Sequence, residues 1–196
     1  MKDRIMMVVF VIVSGTILTG ALVAVNAYTA PVIERNSAVR LKRNVLVALG
    51  IAAGQTDREI EEAFGAGVEE KTAGGRAFFR SGNTGDIAFE YTGPGLWGPI
   101  TGAIAVNDAF RTIKGLTVFH QEETPGLGSR ITEPAYLAQF QGKSFRPALR
   151  LVAAGKASDD LSIDAITGAT MTCNAFIKLL NQSLAAAAVA YGGGSP

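Results

Sequence analysis

From Ile5 to Ile33 the chain carries no charged residue, and that run constrains what the rest can be. As a helix, Ile5 to Tyr28 would span roughly 36 Å at about 1.5 Å per residue, enough to cross a bilayer core of about 30 Å. The stretch reads as a transmembrane helix. A cleaved signal peptide is the competing reading, because Val25-Asn26-Ala27 resembles a small-residue cleavage site. Against it, the apolar run exceeds the ~7–15 residues usual for such signals. Thr16, Gly20 and Ala24 recur every four residues, a small-residue stripe that would admit a second membrane helix, although such residues are also simply common in membrane helices. Lys2 and Arg4 flank one end, and Arg35, Arg40, Lys42 and Arg43 the other, so local positive charge alone favours a cytoplasmic domain. Large domains cross regardless of charge, so this does not decide sidedness.

The 196 residues hold one domain of ordinary size plus a tether. Beyond residue 33 the chain has 16 basic and 16 acidic residues, a balance that recommends no nucleic-acid partner. One cysteine, Cys173, excludes an internal disulfide and any multi-cysteine metal or iron–sulfur site. One histidine, His120, argues against zinc or haem. No metal ligand set is expected, and redox chemistry here would need an organic cofactor.

Pro31 should end the membrane helix or kink its exit. A juxtamembrane helix is expected over 32–49, then a short surface helix over 57–64 capped by Thr56 or Asp57, then a polar loop over 65–75. Strands follow at Ala77–Arg80 and Ile87–Tyr91, joined by turn chemistry at 81–85. The segment from Gly93 to Pro99 holds three glycines and two prolines around the only tryptophan, Trp97, and reads as an irregular loop. Ile100–Val106 and Ile113–His120 are further strands. Thr132-Glu133-Pro134 should start a helix, with threonine as cap, carrying Ala135, Tyr136, Leu137 and Phe140. Residues 149–153 form a late strand and 155–162 a polar loop. The last helix opens at Thr170 or Thr172, with Phe176, Ile177, Leu180 and Leu184 as its apolar face.

Two stretches do not read as ordinary core. Asp164-Ala165-Ile166-Thr167-Gly168-Ala169-Thr170 places hydroxyls and an unhindered glycine at a helix start, where free amides and the helix dipole favour a phosphate. By residues alone, a turn with an N-cap is the more ordinary explanation. Glu123-Thr124-Pro125-Gly126-Leu127-Gly128 is a sharp turn that can present amides and Thr124 to a cleft, or simply a turn. Trp97 could stack on a planar ligand, though a buried tryptophan is the usual case. His120 reads as a strand residue rather than a catalyst, and Cys173 as a small buried residue rather than a nucleophile.

The first stretch resembles the Asp-x-(Ser/Thr)-Gly-Ala-Thr signature of the FMN-binding domain of RnfG and NqrC, subunits of the ion-translocating Rnf and Na⁺-NQR complexes. Glu123–Gly128 is similar to that family's second motif and Gly95-Leu96-Trp97 to its third. Their order and the N-terminal helix agree, and the likeness is strongest over 90–185. Thr172-Cys173 departs from the Thr-Ser of many relatives. The resemblance implies an α+β fold: one transmembrane helix, then one FMN-binding domain with a mainly antiparallel sheet packed by helices. It divides the chain into an anchor (1–33), a juxtamembrane helical segment (34–76), the FMN-binding domain (77–190) and a flexible tail (191–196).

By position, the resemblance implies that Thr170 holds FMN through a phosphoester. A flavin transferase would make the bond from FAD, recognising Asp164, Thr167, Gly168, Ala169 and Thr170. Glu123, Thr124, Gly126, Leu127 and Gly128 would line the flavin pocket, with Leu96 and Trp97 near it and Thr167, Gly168 and Ala169 beside the phosphate. No residue is expected to be catalytic by itself. The implied function is electron transfer within an ion-translocating ferredoxin/NAD(H) oxidoreductase complex of Rnf type, chain length favouring RnfG. The alternatives are an NqrC-type subunit of Na⁺-translocating NADH:quinone reductase, a membrane-tethered FMN carrier for another reductase, and a non-redox assembly module with a degenerate flavin pocket. Expected partners are integral-membrane subunits and the transferase. The expected location is the cytoplasmic (inner) membrane, with the domain on the extracytoplasmic, periplasmic side.

Overall fold

The computed structural model describes residues 2–192, and the chain separates into two units at Val39/Arg40. The described residues of the first unit are helical throughout. They belong to α1 (Lys2–Ala48), which among the described residues is the one helix long and apolar enough to cross a membrane. Its large apolar side chains, among them Phe10, Ile17 and Leu22, are exposed, as lipid-facing groups would be. Pro31 lies inside α1 and does not end it. Proline removes one amide-to-carbonyl bond from a helix, and the 47-residue helix continues past that gap.

The second unit begins with the last turns of α1 and α2 (Asp57–Gly67). Thr56 caps α2 as expected: its Oγ1 accepts from the Glu59 amide at 3.3 Å, and Glu59 Oε2 accepts from the Thr56 amide at 3.0 Å. This reciprocal pair satisfies two otherwise open donors. Then come β1 (Val68–Ala73), β2 (Arg76–Ser81), β3 (Ile87–Pro94), β4 (Pro99–Val106) and β5 (Ile113–His120), in that spatial order and antiparallel throughout. The segment expected as a polar loop over 65–75 therefore contains a strand. The juxtamembrane segment is correspondingly not separate from the domain, because β1 is the edge of its sheet. The charged run Glu69-Glu70-Lys71 hides the strand in the sequence, and such charges are what an exposed edge strand tolerates.

Register decides what each face of the sheet can hold. Phe78, Phe89, Ile104 and Leu116 are cross-strand partners on one face, and Phe79, Ala88, Ala105 and Gly115 on the other. The large residues meet α4 (Thr170–Tyr191), whose Phe176, Ile177, Leu180 and Leu184 are all buried in the same core. Phe176 lies at its centre, with ring centroids 6.1 Å from Tyr91, 6.4 Å from Tyr136 and 5.9 Å from Phe140. The small residues let the end of α1 approach closely: a Cβ on Gly115 would fall 2.9 Å from the Ala48 carbonyl carbon. Phe64 of α2 packs edge-on against Phe79, centroids 5.6 Å apart.

Between β5 and α4 the chain forms 3-10 turns at Gly128–Thr132 and Ala138–Phe140, the short helix α3 (Pro134–Leu137), and a parallel pair, β6 (Arg150–Val152) and β7 (Ser162–Asp164). Thr132 is not the cap of α3. That position is Glu133, while Thr132 Oγ1 donates to the Ser129 carbonyl at 2.9 Å within the preceding turn. β7 is too short to announce itself in sequence. Tyr191, expected to open the tail, ends α4 with its ring 5.0 Å from Phe78 and 5.2 Å from Phe110; residues 193–196 of the expected tail lie outside the described residues.

Candidate functional site

Three connections at one end of the sheet build the site. The first is the β3–β4 hairpin, paired as far as Pro94 and Pro99, so that the expected irregular loop reduces to a tip over 95–98 closed by Gly95 N–H to the Gly98 carbonyl at 2.8 Å. Trp97 at this tip is 73% exposed, which rules out a buried structural role. The second is the segment after β5. Thr124-Pro125-Gly126-Leu127 forms a turn in which the Leu127 amide donates to the Thr124 carbonyl at 3.2 Å. Proline precedes a glycine at φ 73°, the left-handed position that a type II turn requires.

The third is 164–170. Asp164 ends β7, and its carboxylate accepts from the Lys156 and Ala157 amides, both at 2.8 Å. It holds the preceding turn and does not line the cleft described below. Ile166 to Ala169 is a turn closed by Ala169 N–H to the Ile166 carbonyl at 2.9 Å, with Gly168 at φ 85°. A side chain there would be strained by its own backbone. Ala169 is then the N-cap of α4 and offers no side-chain cap, so the first-turn amides of α4 are left for another acceptor. Beneath this turn Cys173 is buried, with Sγ 3.5 Å from the Ile166 amide. Burial beside that thiol pushes the Tyr136 phenol well above its ordinary range.

Glu123 joins these connections. It is 4% exposed; its Oε1 accepts from the amides of Leu96 at 2.7 Å and Trp97 at 3.1 Å, and its Oε2 from the Thr172 hydroxyl at 2.6 Å. It lies under the cleft and does not line it. The cleft itself, about 420 Å³, is lined by Leu96 and Trp97 from the first connection, Thr124, Leu127 and Gly128 from the second, and Gly168 to Thr172 from the third. Gly126 is exposed outside it. Thr167 instead faces an adjoining cleft of similar size along Leu151–Ala154, and Gly168 and Thr170 border both.

Among the described residues beyond 39, the exposed large apolar side chains are Val47, Leu96, Trp97, Leu127, Met171 and Val189, and four of them line this one cleft. An exposed apolar cluster beside an uncapped helix start and the exposed Thr170 hydroxyl fits a flat aromatic ligand carrying a phosphate. The volume lies within the ordinary range for small-molecule sites. Sequence reasoning missed Met171 as a rim residue and Thr172 as the partner of Glu123. Thr172 was recognisable as a third hydroxyl two residues into the helix, but its inward direction depends on the start of α4 at Thr170. His120 is exposed at the end of β5, 3.5 Å from Glu122, and belongs to no site among the described residues.

Residues 95–185 match the FMN-binding domain family. The NqrC protein of the Na⁺-translocating NADH-quinone reductase of Chlamydia pneumoniae is 33% identical over 120 residues, covering 50% of this chain and 38% of that protein. Its counterpart in Vibrio vulnificus is 30% identical over 133 residues, covering 65% of this chain and 50% of that protein. The chain thus spans half or less of the length of these curated relatives. The crystal structure of Shewanella oneidensis NqrC superposes with a TM-score of 0.65 at 25% identity, over 74% of this chain and 90% of that one. The corresponding protein from Parabacteroides distasonis shares the fold, with a TM-score of 0.70 at 23% identity over 83% and 96%. The matched span contains all three connections that frame the cleft, so the part of the chain that builds the site is the part that resembles the FMN-binding domain of the NqrC proteins.

Proposed function

We propose that this chain is an electron-relay subunit of an NqrC-type, Na⁺-translocating NADH:quinone reductase, with FMN esterified to Thr170. The observation that carries the reading is the exposed Thr170 hydroxyl at the uncapped start of α4, opening onto a cleft rimmed by Leu96, Trp97, Leu127 and Met171. The lean from chain length towards an Rnf-type complex gives way, because the Chlamydia and Vibrio relatives are NqrC proteins of the Na⁺-translocating enzyme.

Bound flavin supplies electron transfer in one- or two-electron steps. The chain supplies position. Thr170 Oγ is the esterified atom, and the positive end of α4 offsets the charge of the resulting phosphodiester by about 0.3–1 kcal/mol. The apolar rim of Leu96, Trp97, Leu127 and Met171 would cover the ring and keep water from it. An unaided threonine hydroxyl is a weak nucleophile, so a flavin transferase is needed to form the bond, with AMP leaving from FAD. The tether then keeps the cofactor at high effective concentration on the extracytoplasmic side of the inner membrane, where α1 anchors the domain. Integral-membrane subunits are the proposed electron partners.

Full-length chain co-expressed with a flavin transferase should show the mass of FMN less one water and remain fluorescent after denaturation. Thr170→Ala should lose both. A wild-type chain without the added mass would sink the covalent reading and leave an assembly module as the better account.

A further inference from the structure

We propose that Glu123 is the positioning residue of this site, its buried carboxylate clamping the 95–98 hairpin tip to the first turn of α4 so that Trp97 is held beside Thr170. The purpose of the clamp rests on the flavin reading above; its geometry does not.

A carboxylate offers two oxygens with about four acceptor directions, enough to take donors from two loops at once. Glu123 uses both oxygens. Oε1 takes the Leu96 and Trp97 amides, and Oε2 takes the Thr172 hydroxyl, so one group spans segments far apart in the chain. Two glycines from different connections pack against it. A Cβ on Gly95 would collide with Oε1, and one on Gly128 would sit 2.9 Å from Oε2 and 2.7 Å from Thr172 Oγ1. The Glu123 amide is itself fixed by the Gln121 side chain at 2.6 Å.

Burying a carboxylate is unfavourable unless it is hydrogen-bonded, and here both oxygens are, through three donors. It also stands where regular structure stops: the ladder between β3 and β4 ends at Pro94 and Pro99, and among the described residues no strand links the tip to α4. Trp97, with most of its ring in solvent, has little side-chain packing to hold it. Its place over the cleft is therefore set through its backbone amide, and that amide is bonded to Glu123.

The test uses the only tryptophan in the chain, Trp97. In full-length Thr170→Ala protein, which would carry no esterified flavin, time-resolved anisotropy reports the freedom of the hairpin tip. Glu123→Ala should raise the amplitude of nanosecond depolarisation about two-fold, as for a released loop. Thr172→Val, which cuts only the α4 arm, should give a smaller rise. Glu123→Gln should restore wild-type behaviour, because its carbonyl can accept both amides while its NH₂ donates to Thr172 Oγ1. In flavin-loaded protein the visible circular dichroism should follow the same order. If Glu123→Ala lowers the unfolding temperature but leaves anisotropy and dichroism unchanged, the residue is only structural and the proposal falls. Should Glu123→Ala fail to fold, Thr172→Val must loosen Trp97 and Glu123→Gln must not; any other pattern overturns the clamp. Absence of flavin from the wild-type chain would overturn the flavin reading and leave the anisotropy result standing.

Discussion

Trp97→Ala separates the site from the fold more sharply than any other single change. The side chain is 73% exposed and makes no aromatic pair among the described residues, so removing it should change the stability of flavin-free protein by no more than about 0.5 kcal/mol. Its contribution should appear only when a ring lies on it. A tryptophan presents up to about 250 Å², of which roughly 180 Å² is open here at that exposure. A flat ligand covers one face, about 90 Å², worth about 2 kcal/mol at ~25 cal/mol per Å². For a tethered flavin that energy sets the balance between docked and swung-out positions, which should shift by roughly 30-fold towards solvent. Flavin fluorescence and visible circular dichroism of loaded Trp97→Ala protein read that balance directly. The reasoning is refuted if the flavin signals match wild type. It is equally refuted if the flavin-free variant loses more than about 1 kcal/mol in denaturant unfolding, because Trp97 would then be core.

Phe176→Ala removes the centre of the aromatic cluster between α4 and the sheet and should destabilise the domain by about 3–5 kcal/mol in chemical unfolding. Gly115→Ala forces a Cβ against the Ala48 backbone and should cost about 1–3 kcal/mol, with accelerated amide exchange confined to the end of α1 and β5. Glu59 has its carboxyl pKa lowered by the Thr56 and Gln55 amides it accepts from. Its stabilisation of α2 is therefore complete above the unfolded value of 4.5 and is lost as pH falls through the lower folded value. Amide exchange at the start of α2 should quicken across that acid window in wild type, and the pH-dependent increment should vanish in Glu59→Gln.

The elements that sequence made legible are those whose residues respond to their own neighbours. The Thr56 cap, the Pro125-Gly126 turn, β2 to β5 and the apolar face of α4 follow from local chemistry and periodicity, and the structure contains them. β1 was not legible because its charges suit an edge that only its pairing with β2 creates. Glu123 was visible as part of a motif, yet its direction was not. Whether a carboxylate lines a pocket or lies beneath it depends on where the hairpin tip and α4 come to rest. The same holds for Asp164, whose partners Lys156 and Ala157 sit in a turn with no periodic pattern.

Under the proposed esterification, this geometry favours one hydroxyl over its neighbours. Thr167, Thr170 and Thr172 lie within six residues, and chemistry alone does not rank them. Thr172 is 3% exposed and already donates to Glu123, so esterifying it would both need access it lacks and break the bond that joins α4 to the hairpin. Thr167 is exposed, but it borders the adjoining cleft and not the one rimmed by Trp97 and Met171. Thr170 is exposed, borders both clefts, and begins α4, where unfilled amides and the dipole favour an anion. A phosphate there would leave the Glu123 bond intact and put an attached ring within reach of the apolar rim. Only one of the three hydroxyls meets all of these conditions.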